Sequence, residues 1–217
     1  CVSVEAALAN DMTIFTWQGN NSTNVENWCS GILALVETNY DTEFSTDVEM
    51  SVSAIYVATS SGSDPWNSVN NINTHLNTHL SWANGGGYGG ASYDFATAWT
   101  RKYTSGAVGL AWVAVVCTSN RYNVCSAYTT ASGTLRQLQA HEVGHNFGAG
   151  HDASGSPYIM APAVNGSSTW SSASITDIDN HINSRWCLDP CSSGTPPTAG
   201  FSADPKIGCA PLKVTFR

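Results

Sequence analysis

Positive charge is scarce and late in this chain. Of its eight Lys and Arg residues none precedes Arg101, whereas ten of the sixteen Asp and Glu do, and the formal net charge is −8. A chain built this way has no basic stripe to meet phosphates, which disfavours nucleic acid and anionic membranes, and neither is expected as a partner. The acidic surface is read as a solvated face kept soluble by self-repulsion. Long apolar runs are missing too. Nothing approaches the roughly 18 residues of a membrane span, and the longest candidate, Ala107 to Cys117, has the length of a buried strand. The glycine-rich stretch Asn84–Ala91 is followed by no G-K-[ST], so it is not a phosphate loop. It is expected to be a surface loop overhanging a cleft. The opening Cys-Val-Ser-Val-Glu lacks both a basic n-region and an apolar h-region. The chain is therefore expected to be the mature form of a secreted protein.

Seven cysteines are present, at 1, 29, 117, 125, 187, 191 and 209, and none shows C-x-x-C zinc spacing. That pattern points to disulfides and an oxidising compartment. Cys117 and Cys125 flank a polar stretch between two strand-like runs and are expected to clamp a hairpin. Cys187 and Cys191 are candidates for a local bridge or for partners elsewhere. Apolar content of 42% with eight Trp describes a globular chain. Asn20, Asn21 and Asn165 begin N-x-S/T sequons.

Periodicity outlines the elements. A first strand is expected over residues 2 to 17, ending in Met12–Trp17. A helix is expected from Val25 to Tyr40, and a strand from Val48 to Ala58. Pro65 is expected to open a helix carrying Trp66, Val69, Ile72, Leu76 and Leu80. Its His75 and His79, also four apart, have no following Glu and no third ligand after a glycine turn, and read as a solvent-facing stripe. Strands are expected over Ser92–Thr100 and Ala107–Val116, with a short one from Cys125 to Thr130. Ser132 or Thr134 is expected to cap the next helix, and Ser174–Trp186 to form a closing amphipathic helix. Ser192–Ala199 has linker composition.

The chemistry is concentrated in His141-Glu142-Val143-Gly144-His145-Asn146-Phe147-Gly148-Ala149-Gly150-His151-Asp152. Four-residue spacing on a helix places His141 and His145 on one face, a turn apart, able to share one metal ion. Glu142 projects from the flank of that turn, where it reaches a water without replacing a ligand. Gly148 permits the left-handed turn that stops the helix and returns His151 as a third ligand. Three neutral nitrogens and an open position describe a catalytic zinc site. Zinc is the expected cofactor, with calcium a further candidate.

This segment, followed by Tyr158-Ile159-Met160, resembles the metzincin clan of zinc endopeptidases. Asp152 and the Gly-His-Asn-Phe-Gly run look most like the adamalysin/reprolysin branch. Val108–Val113 resembles that branch's cleft-edge strand. The resemblance implies an α/β (α+β) fold: a twisted, mostly parallel five-stranded sheet with an antiparallel cleft-edge strand. It also implies a zinc helix and a small irregular lower subdomain ending in a helix. Residues 1–191 would form the catalytic domain, divided near residue 150. The Gly200–Phe216 stretch resembles the opening strands of a polycystic-kidney-disease-like (PKD) β-sandwich, so 200–217 would be its truncated start. Met160 would be the Met-turn floor beneath the zinc, Gly148 and Asp152 structural support, and Glu142 the general base. Gly109, Leu110 and Ala111 would pair with an extended substrate, with Ala161, Pro162, Ala163 and Val164 walling the pocket beyond the scissile bond. Some metzincins carry a tyrosine two residues after the Met-turn methionine; Pro162 stands there in this chain. The implied activity is endoproteolysis of protein or peptide substrates by a monomer. A catalytically inactive, protein-binding metalloprotease-like module is the alternative, and the presence of Glu142 argues against it.

Overall fold

Nine residues rich in small and β-branched side chains, Val2–Asn10, form β1, the spine of the sheet in this computed structural model. The structure describes residues 1–41 and 43–191, together with an isolated antiparallel pairing of 203–204 with 215–216. The expected linker over 192–199 lies outside the described residues, as does all but that strand pair of the PKD-like stretch. β1 is flanked by parallel β2 (Val48–Val57) and parallel β3 (Phe95–Thr100). Parallel β5 (Tyr122–Ser126) follows, and antiparallel β4 (Gly109–Ala111) ends the row, giving the order β2-β1-β3-β5-β4. The two-residue β6 (Asp189–Pro190) adds an antiparallel pairing at the start of β1. The mostly parallel sheet with an antiparallel edge is thus present, with a sixth short strand beyond the five expected.

Helices cover both faces. On one lie α2 (Ser22–Asp41) and α4 (Ser132–Asn146), whose Val25, Ile32, Leu33, Leu135 and Leu138 are buried. On the other, α3 (Ile72–Asn84) packs Leu76 and Ala83 against Ala96, Ala98 and Val124. The closing helix α5 (Ser172–Ser184) buries Ile178 and Ile182 beside Phe147 and Met160. Trp186, expected within that helix, lies past its end and is 90% exposed.

Several local expectations give way to tertiary contacts. Met12–Trp17 is not the end of a strand but a helix, α1. Buried Asp11 caps it, accepting from the Thr13 and Ile14 amides at 3.0 and 3.2 Å, and this capping outweighs the β-propensity of the segment. The helix expected from Pro65 begins only at Ile72. Asp64 and the Lys102 ammonium, which donates to the carbonyls of Trp66, Asn67 and Val69, hold the preceding residues in turns, and Asn71 supplies the cap. Neither Ser132 nor Thr134 caps α4; its N-cap is Ala131, without a side-chain bond. The strand expected over Ala107–Val116 shrinks to three paired residues. Ala114 takes a left-handed φ of 59°, and the amides of Ala114 and Val115 turn to the carbonyls of His145 and Asn146.

The bridge expected between Cys117 and Cys125 does not form. Cys117 pairs with Cys187 and Cys191 with Cys1, so Cys187 and Cys191 are not joined locally. Cys125 instead sits buried among Leu8, Val25 and Leu135 on the helix face of β5, a free thiol like Cys29. Strand alternation explains this, because it turns Cys125 into the core, away from the loop that carries Cys117.

His75 and His79 do not form a solvent-facing stripe: both are fully buried. Their ring nitrogens meet the hydroxyls of Tyr103 and Tyr88 at 3.2 and 2.8 Å, and Trp66 stacks on His75. Tyr88 of the glycine-rich segment is therefore a core residue rather than part of an overhanging loop. Burial pushes the His79 pKa down from 6.5 to about 3. The folded chain keeps this ring neutral while the unfolded chain protonates it near 6.5, so stability drains as pH falls below 6.5 and continues to drain down to about 3. In thermal unfolding scans, the decline between pH 6.5 and 4 should be shallower for His79→Phe than for the parent. Parallel pH dependences would show that the buried ring does not titrate on unfolding.

Candidate metal centre

Helix α4 runs under the sheet edge and carries His141, Glu142 and His145, all at least nine-tenths buried. It stops because Gly148 enters the left-handed region at φ 98°, a conformation costly for any residue with a Cβ. The Gly148 and Ala149 amides close back on His145 and Gly144 at 2.8 and 2.9 Å, and the chain then returns His151 to the helix.

The three rings converge through their Nε2 atoms. His151 Nε2 lies 3.2 Å from His141 Nε2 and 3.1 Å from His145 Nε2. The Nδ1 atoms point away, to the carbonyls of Ile159 (from His141, 2.9 Å) and Ala149 (from His145, 2.8 Å). A carbonyl only accepts, so each Nδ1 bears the proton and each Nε2 of the pair presents a bare lone pair. Burial depresses both pKa values, that of His141 to about 4, so the rings are neutral near pH 7. Both lone pairs face His151 Nε2 at 3.1–3.2 Å, a spacing that one shared cation bridges. A tetrahedral zinc with bonds of about 2.0–2.1 Å holds its nitrogens about 3.3 Å apart, close to the observed spacing. The donor set fits zinc.

Among the described residues, two other groups of three could face one ion. Each includes a disulfide pair, Cys1 with Cys191 or Cys117 with Cys187, whose sulfurs are already bonded, so calcium gains no comparable set there.

Glu142 stands beside the histidines with Oε2 buried and without a hydrogen-bond partner. Desolvation pushes its carboxyl up to about 8; a divalent cation nearby acts in the opposite direction. Met160 is fully buried under α4, its Sδ 2.8 Å from where a Cβ on Gly144 would stand, so the floor and the helix meet through a glycine. Asp152 connects the returning loop to this floor through its amide and the Met160 carbonyl at 2.9 Å.

A cleft of about 760 Å³ opens over these groups. Gly109, Leu110 and Ala111 line one side and Ala161, Pro162, Ala163 and Val164 another, with Glu142 and the three histidines between them. The structure thus brings every sequence-selected metal, acid and cleft residue together, while the cysteine candidates lie outside the cleft lining. Sequence reasoning missed the carbonyls of Ile159 and Ala149, which orient two ligands; main-chain groups leave no mark on a sequence. It also missed two amide links. Asn146 Nδ2 donates to Trp112 and Tyr122 carbonyls (2.8 and 3.2 Å), and its Oδ1 accepts from Asn123. Gln137 and Asn165 exchange bonds of 2.8 and 3.1 Å. The first ties the histidine-bearing helix α4 to the edge strand and the second ties it to the far wall. A polar residue directly after His145, and another one turn before His141, were the available signals.

Comparison with curated proteins finds no match. Among solved structures, one described as "Structure of a chaperone-substrate complex" superposes with a TM-score of 0.58 at 12% identity, covering 82% of this chain and 33% of that one. The chain spans about a third of that structure's length, and the likeness is one of fold. The sequence profile described as metallo-peptidase family M12B, reprolysin-like, matches residues 29–152. That range is more than half of the chain and runs from α2 through the returning histidine to Asp152, so the chain belongs to the reprolysin-like M12B metallopeptidase family.

Proposed function

We propose that this chain is a secreted zinc endopeptidase cutting internal bonds of extended protein substrates, with residues 1–191 as its catalytic unit. One observation carries the reading: three Nε2 atoms converge within ligand spacing while the adjacent Glu142 keeps a buried, unpartnered carboxylate oxygen. His141, His145 and His151 would hold the ion. When bound, zinc supplies Lewis acidity that lowers a water's pKa and polarises the scissile carbonyl. Glu142 takes the proton of the attacking water and passes it to the departing amine. Ile159 and Ala149 keep the rings in the tautomer that leaves Nε2 free.

β4 ends the sheet, and among the described residues it pairs only with β5. Its outer edge has backbone groups free for an extended peptide, and such pairing favours a chain segment over a chain end. Pro162 brings no hydroxyl into the cleft, so that position offers the developing oxyanion no side-chain donor. The apolar wall from Ala161 to Val164 suits a medium-to-large apolar residue after the scissile bond. Two disulfides fit an oxidising compartment.

The test is cleavage of a mixed peptide pool by the zinc-loaded chain, read by mass spectrometry, with and without chelator. Internal cuts that vanish on chelation and return with added zinc are expected. Zinc-loaded protein that leaves the whole pool intact, or cleavage that survives chelation, would defeat the reading.

A further inference from the structure

The edge strand and the acid of the zinc helix crowd each other at one point. A Cβ built on Gly109 would overlap Glu142 Oε1 and would lie 2.7 Å from Glu142 Cδ and 2.8 Å from Leu138 Cδ1. Its own backbone does not call for glycine: Gly109 is not among the residues with positive φ, and it pairs in ordinary antiparallel register with Cys125. Glycine is needed there for space alone, and the Glu142 carboxyl fills that space. That carboxyl has little else to hold it. Oε2 has no hydrogen-bond partner, and the one salt bridge among the described residues is Lys102 with Asp11. Its place is set by packing against the bare Cα of β4, and Leu138, one turn earlier on α4, borders the same space.

We infer that Gly109 is a positioning residue for Glu142: the missing side chain on the substrate-binding edge creates the slot in which the acid's carboxyl is held. The inference rests on the reading of Glu142 as proton acceptor. A methyl group at 109 meets the far ends of two flexible side chains, Glu142 and, less closely, Leu138, so the strain is relieved by moving the carboxyl and the leucine methyl rather than the strand. The fold and the three histidines survive, and the proton acceptor leaves its position. A displacement on the order of 1 Å is enough to cost about 10²-fold in rate.

The experiment compares the parent with Gly109→Ala, Glu142→Asp and the double variant, measuring kcat, KM and bound zinc. Gly109→Ala should lower kcat about 10²-fold with zinc retained and KM changed less than about threefold. Glu142→Asp withdraws the carboxyl by one methylene, so adding Gly109→Ala to it should cost less than about threefold more. A rise in KM in place of the fall in kcat, or an equal penalty in both backgrounds, would show that Gly109 serves only the strand and would overturn the inference. A parent that cuts no peptide sinks the protease reading instead. Melting of the metal-free protein then decides the positioning claim without activity. Gly109→Ala should lower the melting temperature of the parent by several times the shift it causes in a Glu142→Ala background. Equal shifts in the two backgrounds would reject it.

Discussion

The Glu142→Gln variant should bind zinc as the parent does and hydrolyse peptides about 10²–10⁴-fold more slowly, the usual contribution of a positioned acid–base group. Glutamine keeps the shape of the side chain, so its packing against Gly109 persists and only the proposed proton acceptor is lost. The same substitution should make the metal-free protein more stable near neutral pH. Burial raises the Glu142 pKa from 4.5 to about 8, so the folded metal-free chain retains a proton that the unfolded chain releases. For such a group the favourable contribution is complete below 4.5 and is lost as pH climbs through about 8. Glutamine has no charge to desolvate and escapes that loss. Slower turnover together with a higher melting temperature is the pattern of a site that gives up stability for chemistry. Steady-state kinetics, zinc stoichiometry and a melting curve of the chelated protein suffice to check it. Turnover within about tenfold of the parent would remove Glu142 from the mechanism.

The part of the site legible in the sequence was the part written within one helical turn and one loop. The interval from His141 to His145 is fixed by helix periodicity, and Gly148 and His151 follow so closely that the chain has few ways to place them. The edge strand was legible in identity but not in extent, because its termination depends on amides of 114–116 finding the C-terminal carbonyls of α4. Where partners were distant, local reasoning failed. Met12–Trp17 carries strand-forming residues, yet Asp11, buried through its bond to Thr100 at 2.6 Å, caps it as a helix. His75 and His79 looked like a wet stripe because nothing nearby announces Tyr103, Tyr88 or Tyr122 as their neighbours. The crowding of Gly109 on Glu142 joins residues on separate elements and was invisible for the same reason. The cysteines show the rule most sharply, since the two nearest along the polar stretch stay apart and the partners that meet are separated by 70 and 190 positions.

Replacing Cys117 and Cys187 together by alanine should cost about 4 kcal/mol of stability if loop entropy governs, since the bridge closes a loop of 70 positions. For a chain of this size that lowers the melting temperature by on the order of 10 °C. The effect should reach the metal as well. Cys117 holds a left-handed φ of 69° at the end of the segment whose amides bond the carbonyls of His145 and Asn146. Released from Cys187, this residue gains by returning to ordinary backbone conformations, and the amides of 114–116 lose their fixed direction. The last turn of α4 then frays around His145, so zinc should dissociate more readily at temperatures where the fold is still intact. Calorimetry of the zinc-loaded and chelated forms separates the two effects: both transitions move down, and the gap between them narrows because bound zinc stabilises the variant less. A double variant melting within about 2 °C of the parent, less than the equivalent of 1 kcal/mol, would mean that the bridge constrains nothing that packing does not already hold. An unchanged gap at a lowered melting temperature would confine the bridge to the unfolded chain and leave the ligand helix independent of it.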